Sequence, residues 1–405
     1  MSTSLRHVVW ELTLACDLAC LHCGSRAGKA REDELGTDEA LDVVRQLAAL
    51  GAREVSLIGG EAYLRADFTT VVRAIADAGM VCSMVTGGRG ITAALARRMK
   101  DAGIASVSVS IDGIGATHDV QRGVAGSFDA AVAAMTQLRE EGVAVSANSQ
   151  LNRLSFPELD AMLDLFLERG CHAWQVAMTV PMGRAAERTD WLFQPYDLHR
   201  VFPKLAELAE RGRHGGLTLY PGNNVGYFGP HEDALRGALT KTGEGGHYQG
   251  CNAGHSTLGL EADGAVKGCP SLPTAGYVGG NVRERSLSEI WHEAAELAFA
   301  RSDAPSELWG ECARCYYASI CKGGCTWTAH VFFGRRGNNP YCHHRALELR
   351  RRGLRERLVR ESLGSGRPFD HGLWRSVVEP DDGLDEWTPE ASPPRRRLKL
   401  VTTAE

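Results

Sequence analysis

The twelve cysteines of this 405-residue chain include two sets whose spacing is typical of metal ligands. The first set, Cys16, Cys20 and Cys23, lies in one short loop with the pattern C-x-x-x-C-x-x-C. Seven more cysteines lie between residues 251 and 342. Because no secretory signal is visible, we expect a cytoplasmic protein, in which thiols stay reduced and bind metals rather than form disulfides. A structural zinc site closes with four ligands, whereas three thiolates in one loop suit a four-iron cluster with one open iron.

The composition excludes other classes of protein. Hydrophobic residues make up 43% of the chain and charged residues 23%, which is ordinary for a globular protein. The net charge of −5 gives no reason to expect a nucleic-acid partner, and the basic run at 395–399 belongs to a polar, Pro-containing tail. We also expect no membrane association, because no apolar segment is long enough to span a bilayer.

The first two hundred residues alternate between strand and helix patterns. Strands are predicted at His7–Thr13, Val55–Ile58, Val81–Val85, Ser106–Ile111, Val143–Ser149 and Ala173–Thr179. Helices are predicted at Thr37–Leu50, Thr69–Ala78, Thr92–Ala102, Phe128–Glu141, from Ser155, and at about 196–211. Thr37 is a predicted N-cap, and Ser155 with Glu158 a predicted capping box. Six successive βα units predict a parallel sheet, open or curled like a barrel, with its active site at the carboxyl ends of the strands.

The pattern breaks after about residue 217, and this divides the chain. We expect a catalytic domain at 1–215, a bridging segment at 216–245 and a cysteine-rich domain at 246–350. The region 351–405 is predicted to hold the end of a basic helix, which spans about Ala346–Glu361, followed by a disordered tail.

Two further motifs are predicted to share the rim of the sheet with the cysteine loop. Gly59, Gly60 and Glu61 end the second strand in SLIGGEAYLRADF, and Ser110 and Asp112 end the fourth in SVSIDG. Together with the Cys16–Cys23 loop, they resemble the radical S-adenosylmethionine (SAM) superfamily. The resemblance implies a partial (β/α)6 TIM-like barrel, in which Cys16, Cys20 and Cys23 hold a [4Fe–4S] cluster whose open iron binds SAM.

The same resemblance implies roles for the other rim residues. His22 occupies a position, usually aromatic, near the SAM adenine, and the backbone of Gly59–Glu61 meets the SAM amino group. Ser110 and Asp112 correspond to residues that reach the SAM ribose or carboxylate, and Arg122 corresponds to a frequent partner of that carboxylate. Thr86-Gly87-Gly88 stands where relatives more often have Thr-Asn-Gly.

The seven later cysteines have the spacing of a SPASM domain, which carries auxiliary iron–sulfur clusters in radical SAM maturases. By this resemblance, one auxiliary cluster is held by Cys312, Cys315, Cys321 and Cys342, and a second by Cys251, Cys269 and Cys325. The second cluster needs a fourth ligand, from His247 or His255, or else is open to water or substrate. Cys82 and Cys171 lie at the opposite end of the sheet and are predicted to be buried structural thiols.

The resemblance implies an enzyme that cleaves SAM to a 5′-deoxyadenosyl radical, which abstracts a hydrogen from its substrate. Because auxiliary clusters can accept an electron, we expect an oxidative maturation of a ribosomally made precursor peptide, such as a C–C, C–O or thioether cross-link. Peptidyl epimerases use a Cys donor that this chain lacks near the site, and sulfatase-type maturases tend to have Asp where this chain has Pro270. A maturase for a quinone- or haem-type cofactor remains an alternative.

The implied partners are the precursor peptide and a reductant such as a flavodoxin or ferredoxin. Only fifteen residues precede Cys16, so we expect leader recognition by a separate protein or by residues after 217, or a mode that does not depend on a leader. No catalytic acid or base is identified, and Tyr63 is the only candidate. A non-catalytic iron–sulfur or zinc protein for electron transfer or regulation would explain the cysteines but not the six βα units with motifs on one rim.

Overall fold

Seven parallel strands form the centre of the computed structural model, which describes residues 4–237, 246–301 and 307–383. They are paired in chain order: β1 (His7–Thr13), β2 (Glu54–Gly59), β3 (Val81–Thr86), β4 (Ser106–Ser110), β5 (Ala144–Leu151), β6 (Ala173–Met178) and β7 (Thr218–Pro221). Three short strands extend the same sheet beyond β1: β8 (Thr257–Leu260), β9 (Ala265–Lys267) and β10 (Val278–Asn281). β8 is parallel to β1, β9 pairs antiparallel with β8, and β10 pairs antiparallel with β9. Because β7 and β10 are the two edges, the sheet is an open, partial barrel.

Helices cover one face of the first seven strands. They are α1 (Thr37–Ala49), α2 (Phe68–Asp77), α3 (Ala93–Ala102), α4 (Ala116–Arg122), α5 (Ser127–Glu140), α6 (Leu159–Glu168) and α7 (Leu198–His214). The apolar side chains of the strands alternate, so that Val8, Trp10 and Leu12 of β1 are buried in the core with Val44 and Leu47 of α1. Each fully buried side chain of this size contributes about 1.5–3 kcal/mol.

Short helices dominate the later part of the chain. They are α8 (Glu232–Arg236), α9 (Leu287–Glu293), α10 (Ala295–Ala298), α11 (Ala318–Cys321), α12 (Thr326–Phe333) and α13 (His343–Arg351). The predicted bridging segment also contributes β7, which pairs with β6 and was not predicted. In the described part of the chain, no helix combines the length and apolarity needed to cross a membrane.

The six βα units are confirmed, but both predicted helix caps are wrong. Gly36, not Thr37, is the N-cap of α1, and its backbone N–H donates to Glu39 Oε2 at 2.8 Å. Ser155 has helical backbone angles and makes no capping bond from its side chain. The turn before α6 is instead capped by Asn152, whose Oδ1 accepts from the backbone N–H of Leu154 and of Ser155.

Glu158, predicted as the other half of the capping box, acts on a different element. Its carboxylate accepts from the backbone N–H of Ile114 and from the hydroxyl of Thr117, each at 2.7 Å, and so holds the loop before α4. A long-range contact has therefore displaced the local pairing that the sequence favoured.

The predicted helix at Ala346–Glu361 is also wrong beyond Arg351. The chain turns at Gly353, which has φ +68°, and forms an antiparallel hairpin from β11 (Leu354–Ser362) and β12 (Leu373–Pro380). Leu358 and Trp374 are buried against the main core, so this region is not a disordered tail as far as residue 383. Residues 384–405 lie outside the described residues.

Asn152 offers a test of this account of the α6 turn. Asn152 is fully buried, and its Nδ2 also donates to Gln121 Oε1 at 2.7 Å. We expect Asn152→Ala to lower the free energy of unfolding by about 2–4 kcal/mol, because it leaves several buried polar groups unpaired. Glu158→Ala, by contrast, should leave α6 intact and loosen α4. Anaerobic urea denaturation followed by circular dichroism measures the change in the free energy of unfolding, and hydrogen exchange shows which helix is affected in each variant. A decrease of less than about 1 kcal/mol in the free energy of unfolding of Asn152→Ala would contradict the assignment.

Candidate active site and cluster sites

The first cysteine loop is held in place by backbone hydrogen bonds on both of its sides. The N–H of Cys16 donates to Gly28 O at 3.1 Å, and the N–H of Ala19 donates to Arg122 O at 3.1 Å. Arg184, from the turn after β6, donates through Nε to Cys20 O at 2.6 Å. The loop therefore takes its shape from β1, α4 and the end of β6 together.

The three thiols of this loop suit an iron–sulfur cluster. Burial raises the pKa of Cys16 well above its ordinary value, and it raises the pKa of Cys20 to about 11. Cys16 and Cys20 are also close enough to neighbouring thiols, Cys20 and Cys23 respectively, for these to raise their pKa further. Buried thiolates repel one another, so these thiols ionise only beside compensating positive charge. Iron supplies that charge when the thiolates bind it.

The end of β2 lies so close to the start of this loop that only glycine fits at positions 59 and 60. Gly60 N–H donates to Thr13 O and Glu61 N–H to Ala15 O, both at 2.7 Å. A Cβ on Gly59 would lie 2.1 Å from Thr13 O, and one on Gly60 would lie 2.0 Å from Ala15 O. These separations are far inside van der Waals contact, so the glycines are required for the close approach.

Glu61 uses its buried carboxylate to hold the loop after β3. Its Oε1 accepts from Gly87 N–H at 2.6 Å, and its Oε2 accepts from the Thr86 hydroxyl. Burial raises the pKa of Glu61 to about 7. A Cβ on Gly87 would lie 2.2 Å from Leu18 Cδ1 and 2.9 Å from Glu61 Oε1, so a side chain at this position would displace both groups.

Tyr63 braces the same region and does not face an open cavity. Its side chain is buried, its hydroxyl donates to Asp17 Oδ2 at 2.9 Å, and it accepts from Gly90 N–H at 3.0 Å. Burial and the neighbouring Glu61 raise the pKa of Tyr63 well above its ordinary value. These contacts favour a structural role over the substrate-facing one considered from sequence.

A buried charge network joins the remaining predicted SAM-binding residues. Asp112 is fully buried; its Oδ2 lies 2.7 Å from Arg122 Nη2 and 3.1 Å from His22 Nε2, and its Oδ1 accepts from Gln150 N–H at 2.8 Å. Burial opposes ionisation, but Arg122 and His22 hold the pKa of Asp112 well below its usual range. Arg122 also donates from Nη1 to Cys20 Sγ at 3.7 Å. Ser110 is buried at the end of β4 beside this network.

The structure thus brings His22, Asp112 and Arg122 together beside the first cysteine loop, with Gly59–Glu61 on its other side. Asp112 contacts Arg122 and His22, an arrangement that orients both side chains. Sequence reasoning had missed this partnership because each residue was assigned a separate contact with SAM.

The loop of the C-terminal hairpin also reaches this site. Phe369 N–H donates to Gly24 O at 2.9 Å, and Arg26 Nε donates to Asp370 Oδ1 at 3.2 Å. The Phe369 ring is buried and lies 4.2 Å from the ammonium group of Lys267, close to Cys269. No spacing in the sequence indicated that residues near 370 would lie between two cysteine sets.

The seven later cysteines separate into the two predicted sets, which we call the distal and proximal thiols. The distal thiols Cys312, Cys315, Cys321 and Cys342 line one cavity of about 340 Å³. The proximal thiols Cys251, Cys269 and Cys325 are close enough for Cys251 to raise the pKa of the other two, beyond the effect of burial. Four thiols in one cavity and three in a second group match the donor sets that iron–sulfur clusters require.

The fourth ligand of the proximal thiols is not evident from the side chains predicted for it. His247 and His255 are both exposed, and His247 Nδ1 is bonded to Tyr248 O. A cavity of about 460 Å³ lies beside Cys251 and is lined also by Lys322, Thr326 and Arg336. Cys82 and Cys171 are buried in the main core, as predicted.

The face of the sheet opposite the helices is polar and carries little positive charge. On this inner face His7 Nε2 is bonded to Ser56 Oγ at 2.9 Å, and Ser56 Oγ to Ser83 Oγ at 2.8 Å. The strand residues that alternate with the core are mostly hydroxyls, amides and two carboxylates: Glu11, Glu54, Ser56, Ser83, Ser106, Ser108, Ser146, Asn148, Gln150 and Gln175. None of the strands β1 to β7 contains Lys or Arg.

Comparison with known proteins gives two family matches in this chain. The model of the radical SAM superfamily matches residues 10–151, and that of the SPASM iron–sulfur cluster-binding domain matches residues 251–316. An AdoMet-dependent heme synthase of Methanosarcina barkeri is 30% identical over 353 residues, covering 85% of this chain and 98% of the relative. Mycofactocin maturase MftC of Mycobacterium tuberculosis is 28% identical over 340 residues, covering 83% of this chain and 82% of the relative.

Solved structures show the same fold at lower sequence identity. Native anSMEcpe with bound AdoMet has a TM-score of 0.67 and 17% identity, covering 84% of this chain and 95% of that one. SuiB of Streptococcus suis bound to S-adenosylmethionine has a TM-score of 0.63 and 16% identity, covering 84% of this chain and 76% of that one. The likeness extends over both the barrel and the cysteine-rich region.

The contact between β2 and the cysteine loop can be tested by adding one methyl group. We expect Gly60→Ala to displace the loop and to weaken SAM binding at least about tenfold, because Ala15 O is backbone and cannot move independently. Gly28→Ala is the matched control, since Gly28 bonds to the same loop but has nothing within 4 Å of an added Cβ. Iron content after anaerobic reconstitution and equilibrium binding of SAM measure the effect. Equal SAM affinity in the two variants would contradict the required close approach.

Proposed function

Because this chain belongs to the radical SAM superfamily and carries a C-terminal SPASM domain, we propose that it is a maturase that oxidises a ribosomally made precursor peptide. The modification is a net loss of two hydrogens, as in a C–C, C–O or thioether cross-link. The radical SAM domain binds a [4Fe–4S] cluster and SAM, and the SPASM domain binds iron–sulfur clusters. When bound and reduced, the first cluster supplies the electron that cleaves SAM.

In this proposal each group of thiols has its own task. Cys16, Cys20 and Cys23 hold the cluster that meets SAM, and Gly59–Glu61 with the His22–Asp112–Arg122 network orient SAM against it. The distal and proximal thiols would hold auxiliary clusters, which would supply an acceptor for the second electron of the substrate. These ligand assignments rest on the burial and grouping of the thiols described above.

The observation that carries the peptide substrate is the chemistry of the inner face. Its serine, asparagine and glutamine side chains offer the neutral donors and acceptors that pair with peptide amides. Glu54 adds negative charge to the same face, whereas Glu11 is buried and paired with Arg31 Nη2 at 3.2 Å. The strands supply no Lys or Arg. Such a surface suits an uncharged or cationic polypeptide better than a polyanion.

The second candidate is maturation of a haem-type or quinone-type cofactor, which the relatives named heme synthases favour. A tetrapyrrole with several carboxylates would need cationic partners, since burying unpaired charge is costly. Three arginines of the surrounding loops are paired with carboxylates: Arg26 with Asp370, Arg122 with Asp112, and Arg153 with Asp197. Arg89 and Arg184 bond instead to backbone carbonyls of the cysteine loop and its neighbours. The pairing of the first three supports the peptide over the tetrapyrrole.

The first prediction concerns SAM cleavage. We expect the anaerobically reconstituted enzyme to form 5′-deoxyadenosine from SAM and dithionite, and Cys20→Ala to abolish this while retaining the iron held by the later cysteines. Cys82→Ala is the control, because this buried thiol lies in the strand core away from the rim. Chromatography of the nucleoside and iron analysis provide the measurements. Undiminished 5′-deoxyadenosine formation by Cys20→Ala would disprove the assignment of the SAM-cleaving cluster.

The second prediction concerns the substrate. A small peptide encoded beside the gene, incubated with enzyme, SAM and reductant, should lose about 2 Da through removal of two hydrogens. Coproporphyrin and haem-type substrates tested in parallel should be unchanged. Mass spectrometry distinguishes the alternatives: an altered tetrapyrrole with an unaltered peptide would favour the second candidate, and an epimerised residue at constant mass would exclude an oxidative reaction.

A further inference from the structure

A cluster of three half-buried side chains lies between the first cysteine loop and the proximal thiols. The hydroxyl of Tyr277 and Nδ1 of His330 are 2.9 Å apart and hydrogen-bonded. The rings of His330 and His371 meet edge to face, with centroids 5.1 Å apart. We call these three residues the Tyr277–His330–His371 cluster.

Each member of the cluster is anchored to a different part of the site. His330 lies on α12, which begins directly after Cys325. His371 belongs to the loop of the C-terminal hairpin and forms a β-bridge with Met182, which follows β6 at the rim. A Cβ added to Gly24, the neighbour of Cys23, would lie only 2.7 Å from Met182 Cε. The cluster therefore spans the gap that separates the SAM-cleaving loop from the proximal thiols.

The proximal thiols lie close to the Tyr277 end of the cluster. Burial is the main influence that raises the pKa of Tyr277, and Cys251 adds to it, so the phenol lies within electrostatic range of that thiol. Trp327, one turn before His330 on α12, donates from Nε1 to Met182 Sδ at 3.2 Å. These contacts fix α12 against the rim and hold the His330 ring in the gap.

Burial and the neighbouring His371 lower the pKa of His330 to about 4, so the ring is neutral at neutral pH and is a weak base. In the tautomer with hydrogen on Nδ1, the ring donates to the Tyr277 oxygen and keeps a lone pair on Nε2. Among the titratable groups near the first cysteine loop, both oxygens of Glu61 and of Asp112 accept hydrogen bonds or ion pairs. Asp17 Oδ1 and His22 Nδ1 are buried without a hydrogen-bond partner among the described residues.

We propose that His330 is the base that takes the substrate's proton during the oxidative step, and that Tyr277 is the positioning residue that fixes its ring. This role rests on the proposed function, because a hydrogen-neutral reaction such as epimerisation needs no such base.

The step balances with the groups already named. The 5′-deoxyadenosyl radical first takes one hydrogen atom from a peptide C–H and leaves a carbon radical. The oxygen, sulfur or carbon atom of an O–H, S–H or C–H group in the same peptide then bonds to this radical. The new bond forms as its hydrogen leaves as a proton to His330 Nε2 and one electron passes to an oxidised auxiliary cluster. Together the hydrogen atom, proton and electron amount to the two hydrogens lost by the peptide.

The test compares His330→Gln with wild type on the peptide encoded beside the gene. A positioned general base typically contributes about 10²-fold or more, so we expect the ratio of cross-linked peptide to 5′-deoxyadenosine to fall by about that factor. Hydrogen abstraction itself should continue, with label from deuterated peptide appearing in 5′-deoxyadenosine. Tyr277→Phe should lower the ratio by roughly tenfold, since it leaves the base in place but unoriented. His292→Gln, on the exposed side of α9, is the matched control and should behave as wild type.

Carbethoxylation by diethyl pyrocarbonate gives a readout that does not depend on turnover. The half-buried, neutral ring of His330 should react in the free protein and be protected at least about fivefold by the precursor peptide, whereas exposed His292 should react equally in both states. Iron content and the electron paramagnetic resonance spectra of the clusters should be the same in His330→Gln as in wild type, which separates a lost base from a damaged cluster.

The possible results distinguish the two proposals. If wild type cross-links the peptide and His330→Gln does so with an unchanged product ratio, or if the peptide does not protect His330, the role of His330 is overturned and the maturase function stands. If wild type forms 5′-deoxyadenosine but leaves the peptide unaltered, the proposed function fails, and the assigned step of His330 fails with it.

Discussion

The close approach of two pieces of backbone is the constraint on which this active site depends. The end of β2 lies so near the loop after β1 that Gly59 and Gly60 leave no room for a Cβ, and two hydrogen bonds of 2.7 Å close the contact. The same contact holds Glu61, and the Glu61 carboxylate bonds to the loop after β3 and fixes its position. These short contacts fix the ends of β1, β2 and β3 relative to the three thiols.

Buried charge provides the next level of organisation. Asp112 has no exposed surface, and its ion pairs with Arg122 and His22 place a cation against Cys20 Sγ. Removing one member of such a pair typically costs about 3–5 kcal/mol, because it leaves the other charge buried and unpaired. The network therefore gives little net stability but strongly disfavours other arrangements of the rim.

The auxiliary region is not a separate body attached by a linker. β8 pairs with β1 from His7 to Trp10, and Arg31 forms ion pairs with Glu261 and Asp263 beyond β8. The hairpin loop closes the structure on the other side, through Phe369 against Gly24 and His371 against Met182. Because one sheet carries both the first cysteine loop and the start of the cysteine-rich region, the separation of their clusters is set by β-sheet geometry rather than by a flexible connection.

The sequence alone was sufficient to predict what depends on local periodicity and on residue spacing. The alternation of apolar residues predicted six βα units to within about two residues at most boundaries. The resemblance to the SPASM domain implied which of the later thiols lie together. Local signals were wrong where a distant partner competed: Glu158 bonds to Ile114 rather than capping α6, and the basic segment after Arg351 pairs with β12 instead of extending a helix. Three sets of contacts were decided only by the tertiary structure. Asp112 contacts Arg122 and His22, and Tyr63 bonds to the loops on either side of it. His330 contacts Tyr277 and His371. These contacts join residues up to about a hundred positions apart, and no local pattern encodes such pairs because they arise only when packing of the whole sheet brings its loops to one rim.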